Sequence, residues 1–307
     1  MRCVRWVMGM LGCLALATIA ACGGEASSAR PKDDGRPRIV ATTTMIADMA
    51  RQIGGDDIVV ISIMKEGEDP HVYQVRPRDA QTIRDADLVL MNGLHLEATL
   101  DRVVTNNVSP DRVVRLAESP RITPLRGAGD SVDPHCWFNV EYFMIYAETA
   151  RDALIAIDPD KASAYEARTA AYLQQLRELH EWVLAEIATV PAEQRVMVTS
   201  HDAFAYYGNR YGIEVHGVIG ISTEEQPRPQ EIEKLEELVR QRNVKALFIE
   251  TSVNPMLNEI VRKIAQRTGA TVGGTLFSDS LGLPDGPAGT YIDMMRHNTR
   301  TIVEALR

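Results

Sequence analysis

The chain is poor in the features that would settle its class at once. Only four cysteines occur in 307 residues, Cys3, Cys13, Cys22 and Cys136, and three of them lie in or at the end of one apolar N-terminal stretch. A disulfide framework for the body is therefore excluded. Basic charge is also scarce, with 33 Lys and Arg against 42 Asp and Glu, for a net charge of −9 and a pI near 5.4. Nucleic-acid binding demands a basic surface, so that class falls away. The acidic balance suits a cation binder, and it suits an ordinary soluble surface equally well. No apolar run after the N-terminus approaches a bilayer-spanning length. The body has no low-complexity tract and no His-Glu-x-x-His helix of the kind that marks many zinc hydrolases.

What is present begins with an export signal. Arg2 and Arg5 precede an uncharged apolar run, Trp6 to Ala21, that is too short to span a membrane comfortably. Its end, Ile19-Ala20-Ala21-Cys22, resembles a bacterial lipobox, in which the cysteine thiol takes diacylglycerol and becomes the new N-terminus. Residues 1–21 are thus expected to be removed and Cys22 to be lipidated. Residues 22–37, rich in Gly, Ser and Ala at the start, bury nothing and read as a flexible tether. The mature protein would lie outside the cytoplasm, periplasmic or on the outer face of a bacterial membrane, held by its lipid.

From Arg38 onward β-branched runs alternate with helical spacing, which is α/β patterning with parallel sheets. Ile39–Thr43, Ile58–Met64, Leu88–Met91 and Val113–Leu116 read as strands of a first lobe, 38–157, with helices over 45–53, 78–86 and 141–157. Residues 158–190 run without Gly or a second Pro after Pro159 and are rich in Ala, Leu, Gln and Glu, so they predict one long helix. At 1.5 Å per residue it would reach about 45 Å, a length suited to a rigid strut between lobes. The alternation then resumes over 191–307, with strands at 195–200, 214–219, 246–250 and 271–276 and helices at 229–241, 254–268 and 291–306.

Seven histidines are unequal in their settings. Asp69-Pro70-His71 and Asp133-Pro134-His135 repeat one loop phrase, whose proline stiffens the backbone that presents the imidazole. His201 follows the apolar strand Val196–Ser200, and Asp279 stands in the matching place after 271–276. Ligands of parallel α/β sheets gather at the carboxyl ends of strands. Two candidates thus come from each lobe, and a cleft between lobes is where a small ligand sits. His95 also follows a strand and is expected at a helix start or beside the site. Glu250, closing its strand, is a candidate acceptor for a ligand imidazole N–H, with a simple salt bridge as the alternative. Trp137 is placed near His135. Cys136 reads as a small buried thiol.

With these residues in view the chain resembles the metal-binding lipoproteins that serve ABC importers of zinc and manganese, once also described as adhesins. The resemblance rests on Gly67-Glu68-Asp69-Pro70-His71-Val72-Tyr73, Asp87 through Glu97, Asp133-Pro134-His135-Cys136-Trp137, Thr199 through Phe204 and Phe277-Ser278-Asp279, in that order. It implies two α/β lobes joined by a single long helix, and His71, His135, His201 and Asp279 as the four metal ligands. It also implies delivery to a membrane permease with a cytoplasmic ATPase, by a receptor expected to be monomeric. Three imidazoles and one carboxylate suit Zn²⁺ in four-coordinate geometry, whereas Mn²⁺ favours more oxygen. One Zn²⁺ per chain is the expectation, with Mn²⁺ the alternative, because Ser119–Val132 lacks the His-rich loop of many zinc members. A metallohydrolase would need an open coordination position, which four protein ligands close, so no enzyme activity is expected. A surface adhesin stays open at this point.

Overall fold

The computed structural model describes residues 35–127 and 131–307. The expected signal, the lipidated Cys22 and the tether up to residue 34 lie outside the described residues.

Two parallel four-stranded sheets, each flanked by helices, make up the fold. The first half runs β1 (Arg38–Ala41), α1 (Thr44–Gly54), β2 (Val59–Ser62), α2 (Pro77–Arg84), β3 (Leu88–Met91), α3 (Ala98–Asn107), β4 (Val113–Arg115) and α4 (Val140–Ile157). A 27-residue helix, α5 (Ala162–Ala188), follows. The second half runs β5 (Val196–His201), α6 (Ala205–Tyr211), β6 (Glu214–Ile219), α7 (Pro229–Gln241), β7 (Ala246–Glu250), α8 (Pro255–Thr268), β8 (Thr271–Leu276) and α9 (Tyr291–Leu306).

The sheet orders are β2-β1-β3-β4 and β6-β5-β7-β8, so the two halves share one winding. In each, the chain leaves the first strand to one side, then returns to its other side, which opens a crevice beyond the carboxyl ends of β1/β3 and of β5/β7. Strands β3 and β5 are buried throughout, and their unbroken apolar runs, Leu88–Met91 and Val196–Val198, reflect a sheet covered on both faces.

Helix starts follow capping chemistry. The Thr43 hydroxyl accepts from the Ile46 amide to open α1, and Asn139 and Asn254 do the same for α4 and α8. The long helix begins later than expected. Pro159–Lys161 make one 3-10 turn, because Asp158, ahead of Pro159, stands outside the helical region at φ −142°, ψ 70°, and the α-type ladder starts only at Ala162. Its buried face, including Tyr165, Tyr172, Leu176, Leu179 and Val183, packs on α1 and α4 of the first half and on α6 and α9 of the second.

The core is not two separate cores. One large cluster takes Ile39, Met45 and Leu90 from the first half, Leu176 and Val183 from α5, and Met197, Phe248 and Tyr291 from the second. Smaller clusters cover the outer face of each sheet. The Phe143 and Tyr291 rings stack at 3.6 Å between α4 and α9, fastening one half to the other. No described helix is long and apolar enough to cross a membrane.

Candidate metal centre

The site forms where the carboxyl ends of both sheets meet. His201 is the last residue of β5, and Asp279 lies just past β8, both buried. On the first half, His71 comes from the loop after β2 and His135 from the segment leading into a 3-10 turn, Cys136–Phe138. One ligand-type atom from each of the four lies within 4.8 Å of every other.

The rings converge through their outer nitrogens. His71 Nε2 is 3.3 Å from His135 Nε2. Asp279 Oδ1 is 3.5 Å from His135 Nε2, and its Oδ2 is 3.3 Å from His201 Nε2. The inner nitrogens face carboxylates: His135 Nδ1 meets Asp133 Oδ1 at 2.7 Å, and His201 Nδ1 meets Glu250 Oε2 at 2.7 Å. A carboxylate on Nδ1 fixes the tautomer that leaves Nε2 free to bind, and raises its basicity. Glu250 also accepts from the His201 amide, 2.9 Å, which locks the end of β5 to the end of β7.

Backbone contacts tune the positions. Asp69 and Asp133 each accept from the amide two residues on, at 2.9 Å, so both Asp-Pro-His phrases close the same small turn. The Asn92 side chain donates to the Pro134 carbonyl at 3.0 Å and accepts from Tyr146 Oη at 2.7 Å, tying the second phrase to the end of β3. Tyr206 Oη donates to the Asp133 carbonyl. The Asp279 amide donates to Ser252 Oγ, and Trp137 Nε1 donates to the Ser278 carbonyl while its ring lies edge-on to His135 at 5.1 Å. Gly217 on β6 is required by proximity, since a Cβ there would stand 2.6 Å from the Asp202 amide and 2.8 Å from the His201 carbonyl carbon.

Electrostatics bear on what the arrangement could hold. Burial pulls His71 down to about 3, so it stays neutral. Burial acts the same way on His135, but Asp133 and then Asp279 outweigh it and hold that ring up to about 9. Asp279 is driven well below the usual carboxylate range: its burial opposes this, and His201 and His135 prevail. Neither Asp279 oxygen has a donor aligned on it despite full burial. Buried carboxylate oxygens are normally paired, and a cation among three imidazoles would supply that pairing. Three nitrogens and a carboxylate form a borderline donor set that fits a divalent transition metal.

The other histidines are engaged elsewhere. His95 is not brought to the cluster: it stands on an exposed turn with φ 65°, and the neighbouring Glu97 is what turns inward, accepting from Thr42 Oγ1 and the Asn92 amide. Of the two places expected for His95, the helix start is the one it takes, and the one beside the site is corrected, because the turn that starts α3 points it to solvent. His180 meets Tyr211 Oη and Arg210, His216 meets Glu214, and His297 meets the Thr275 carbonyl. Cys136 is buried, and burial pushes its thiol up to about 12, so no thiolate is offered. Asn92, Glu97, Tyr206 and Ser252 escaped the reading of the sequence as supports, although Asn92 and Glu97 stand in one of the phrases that carried the resemblance.

A two-lobed α/β receptor with one enclosed four-residue centre is the class that this fold and geometry define. The chain belongs to the family described as zinc-uptake complex component A, periplasmic (ZnuA), whose model matches residues 39–305. It is 36% identical over 294 residues to the manganese-binding lipoprotein MntA of Halalkalibacterium halodurans, covering 95% of this chain and 96% of that protein. It is likewise 36% identical over 276 residues to the zinc-binding protein TroA of Treponema pallidum, covering 89% and 90%. The solved structure of that periplasmic zinc-binding protein superposes with a TM-score of 0.85, over 89% of this chain and 99% of the other.

Proposed function

We propose that this protein is an exported, lipid-anchored receptor that captures one divalent transition metal ion with His71, His135, His201 and Asp279 and passes it to an ABC importer. The carrying observation is the convergence of three Nε2 atoms and one buried carboxylate, on which no hydrogen bond is aligned, at the junction of the two halves. The metal is cargo, held by all four side chains, and the importer's permease with its ATPase is the recipient. Names among the relatives support the class and divide over the ion, manganese in one and zinc in another. The donor set favours Zn²⁺, because three nitrogens and one carboxylate match its four-coordinate preference.

In this reading residues 1–21 are the export signal, Cys22 carries the lipid, and loops of the 38–157 and 191–307 lobes order around the ion while 158–190 serves as strut. The receptor acts as a monomer and catalyses no reaction. Ser200-His201-Asp202 supports no hydrolytic chemistry, since Ser200 Oγ donates to Asn258 and His201 is turned toward Asp279.

The test is metal content. Chelator-stripped protein offered equimolar Zn²⁺ and Mn²⁺ should take up one ion per chain, chiefly Zn²⁺, by native mass spectrometry and elemental analysis. His201→Ala and His71→Ala should each weaken retention. The reading is lost if the wild type holds no ion tightly, or if both variants bind as it does.

A further inference from the structure

The two Asp-Pro-His phrases are alike in sequence and used differently. In the second, Asp133 Oδ1 serves both the amide and the ring of His135. Glu250 Oε2 stands 2.7 Å from His201 Nδ1, an ion-pair contact on the ring though not one aligned as a hydrogen bond. His71 has no such partner, for among the described ion pairs none involves its ring. Asp69 Oδ1 takes the His71 amide at 2.9 Å, and Oδ2 turns away from the ring, accepting from Thr223 Oγ1 at 2.7 Å.

Thr223 belongs to the other half. It sits in the turn after β6 that is closed by the Glu225 amide on the Ser222 carbonyl, and capped by Ser222 Oγ accepting from the Glu224 amide. The same His71 loop is gripped a second time by the second half, where the Gly67 amide donates to Ser280 Oγ at 2.5 Å, next to Asp279. His71 is also the least enclosed of the four, 8% exposed against 0–1% for the rest. Two imidazoles are therefore fixed by a carboxylate on the ring, and the third by hydrogen bonds that cross between the halves.

The geometry points to Thr223 as a positioning residue for metal retention: its hydroxyl, acting through Asp69, holds the His71 loop over the centre, so that His71 is the first ligand to leave. This rests on the receptor reading above. A ring without its own carboxylate depends on where its backbone is held, and that backbone is held across the junction. Release of one hydrogen bond on the second half thus loosens a ligand on the first, which is the coupling a receptor needs to give up tightly bound cargo.

The experiment compares wild type with Thr223→Val, which is isosteric but has no hydroxyl, and Thr223→Ser, which restores it. Full chains loaded with Zn²⁺ are mixed with excess chelator and ion loss is followed in time. Thr223→Val should release Zn²⁺ on the order of tenfold faster, and Thr223→Ser should return toward wild type. In metal-free protein, amide exchange over residues 68–72 should be faster in Thr223→Val and restored in Thr223→Ser. Unchanged release and exchange in Thr223→Val, or failure of serine to restore either, overturns the assignment. If wild type itself retains neither Zn²⁺ nor Mn²⁺, the receptor reading fails, and the exchange measurement still decides whether Thr223 holds the loop.

Discussion

The candidate ligands depend on neighbours that sequence proximity does not reveal. Glu250 is 49 positions from His201, yet it holds both the ring and the amide of that residue. Glu250→Gln keeps the shape and removes the charge, and should lower metal affinity about 10–100-fold, the usual cost of losing such a support. Competition with a chromophoric chelator measures it, and an affinity equal to wild type would refute the role. A second residue-scale prediction concerns Glu97, which burial pushes up to about 7 against the pull of Thr42, Asn92 and Gly93. A carboxyl whose folded value lies above its unfolded one, 4.5, contributes in full below about pH 4.5 and loses that contribution as pH rises through 7. Metal-free wild type should therefore lose up to about 3 kcal/mol across that window that Glu97→Gln does not lose. Parallel denaturation curves at pH 5 and pH 8 check this, and identical pH dependence would sink it.

At the scale of elements, strands and long helices were legible because their apolar patterns are strong. Leu88–Met91 and Val196–Val198 are continuous apolar runs, and Pro229–Gln241 carries a proline at its start and a clear period. Two helices were not legible. α3 buries only Leu100 and Val104, a stripe of two, and α6 is built from Tyr206, Tyr207 and Gly208, poor helix formers that tertiary packing holds in place. The Asp-Pro-His repeat and the strand ends made the four candidate ligands visible, since both are local signals. That His95 turns outward and Glu97 inward was hidden, because it depends on the left-handed backbone of Leu94 and His95. The long helix yields its own prediction. Leu176 is fully buried on α5, and Leu176→Ala should cost about 2–5 kcal/mol in chemical denaturation. A loss below 1 kcal/mol would mean that α5 is not packed into the shared core.

For the whole molecule the continuous core decides how binding can move the chain. Receptors whose lobes are joined by flexible segments close by hinge rotation, which requires an interface that opens without exposing much apolar surface. Here the central cluster passes from Ile39 through Leu176 to Phe248 and Tyr291 without a break. Opening it would bring apolar area into water at about 25 cal/mol per Å², so a few hundred Å² would cost several kcal/mol. Metal binding stabilises the bound form by about 2.7 kcal/mol when the free ion is at 100 times Kd, and that energy is better matched to ordering the loops at the site. The 66–71 and 278–290 segments carry His71 and Asp279, and they touch at Gly67 and Ser280. Small-angle scattering of metal-free and Zn²⁺-loaded protein should therefore superpose, while hydrogen exchange slows in those two segments and leaves α5 unchanged. A clear contraction on loading, together with new protection along the α5 face that meets α1 and α9, would show instead that the halves rotate and that the shared core opens.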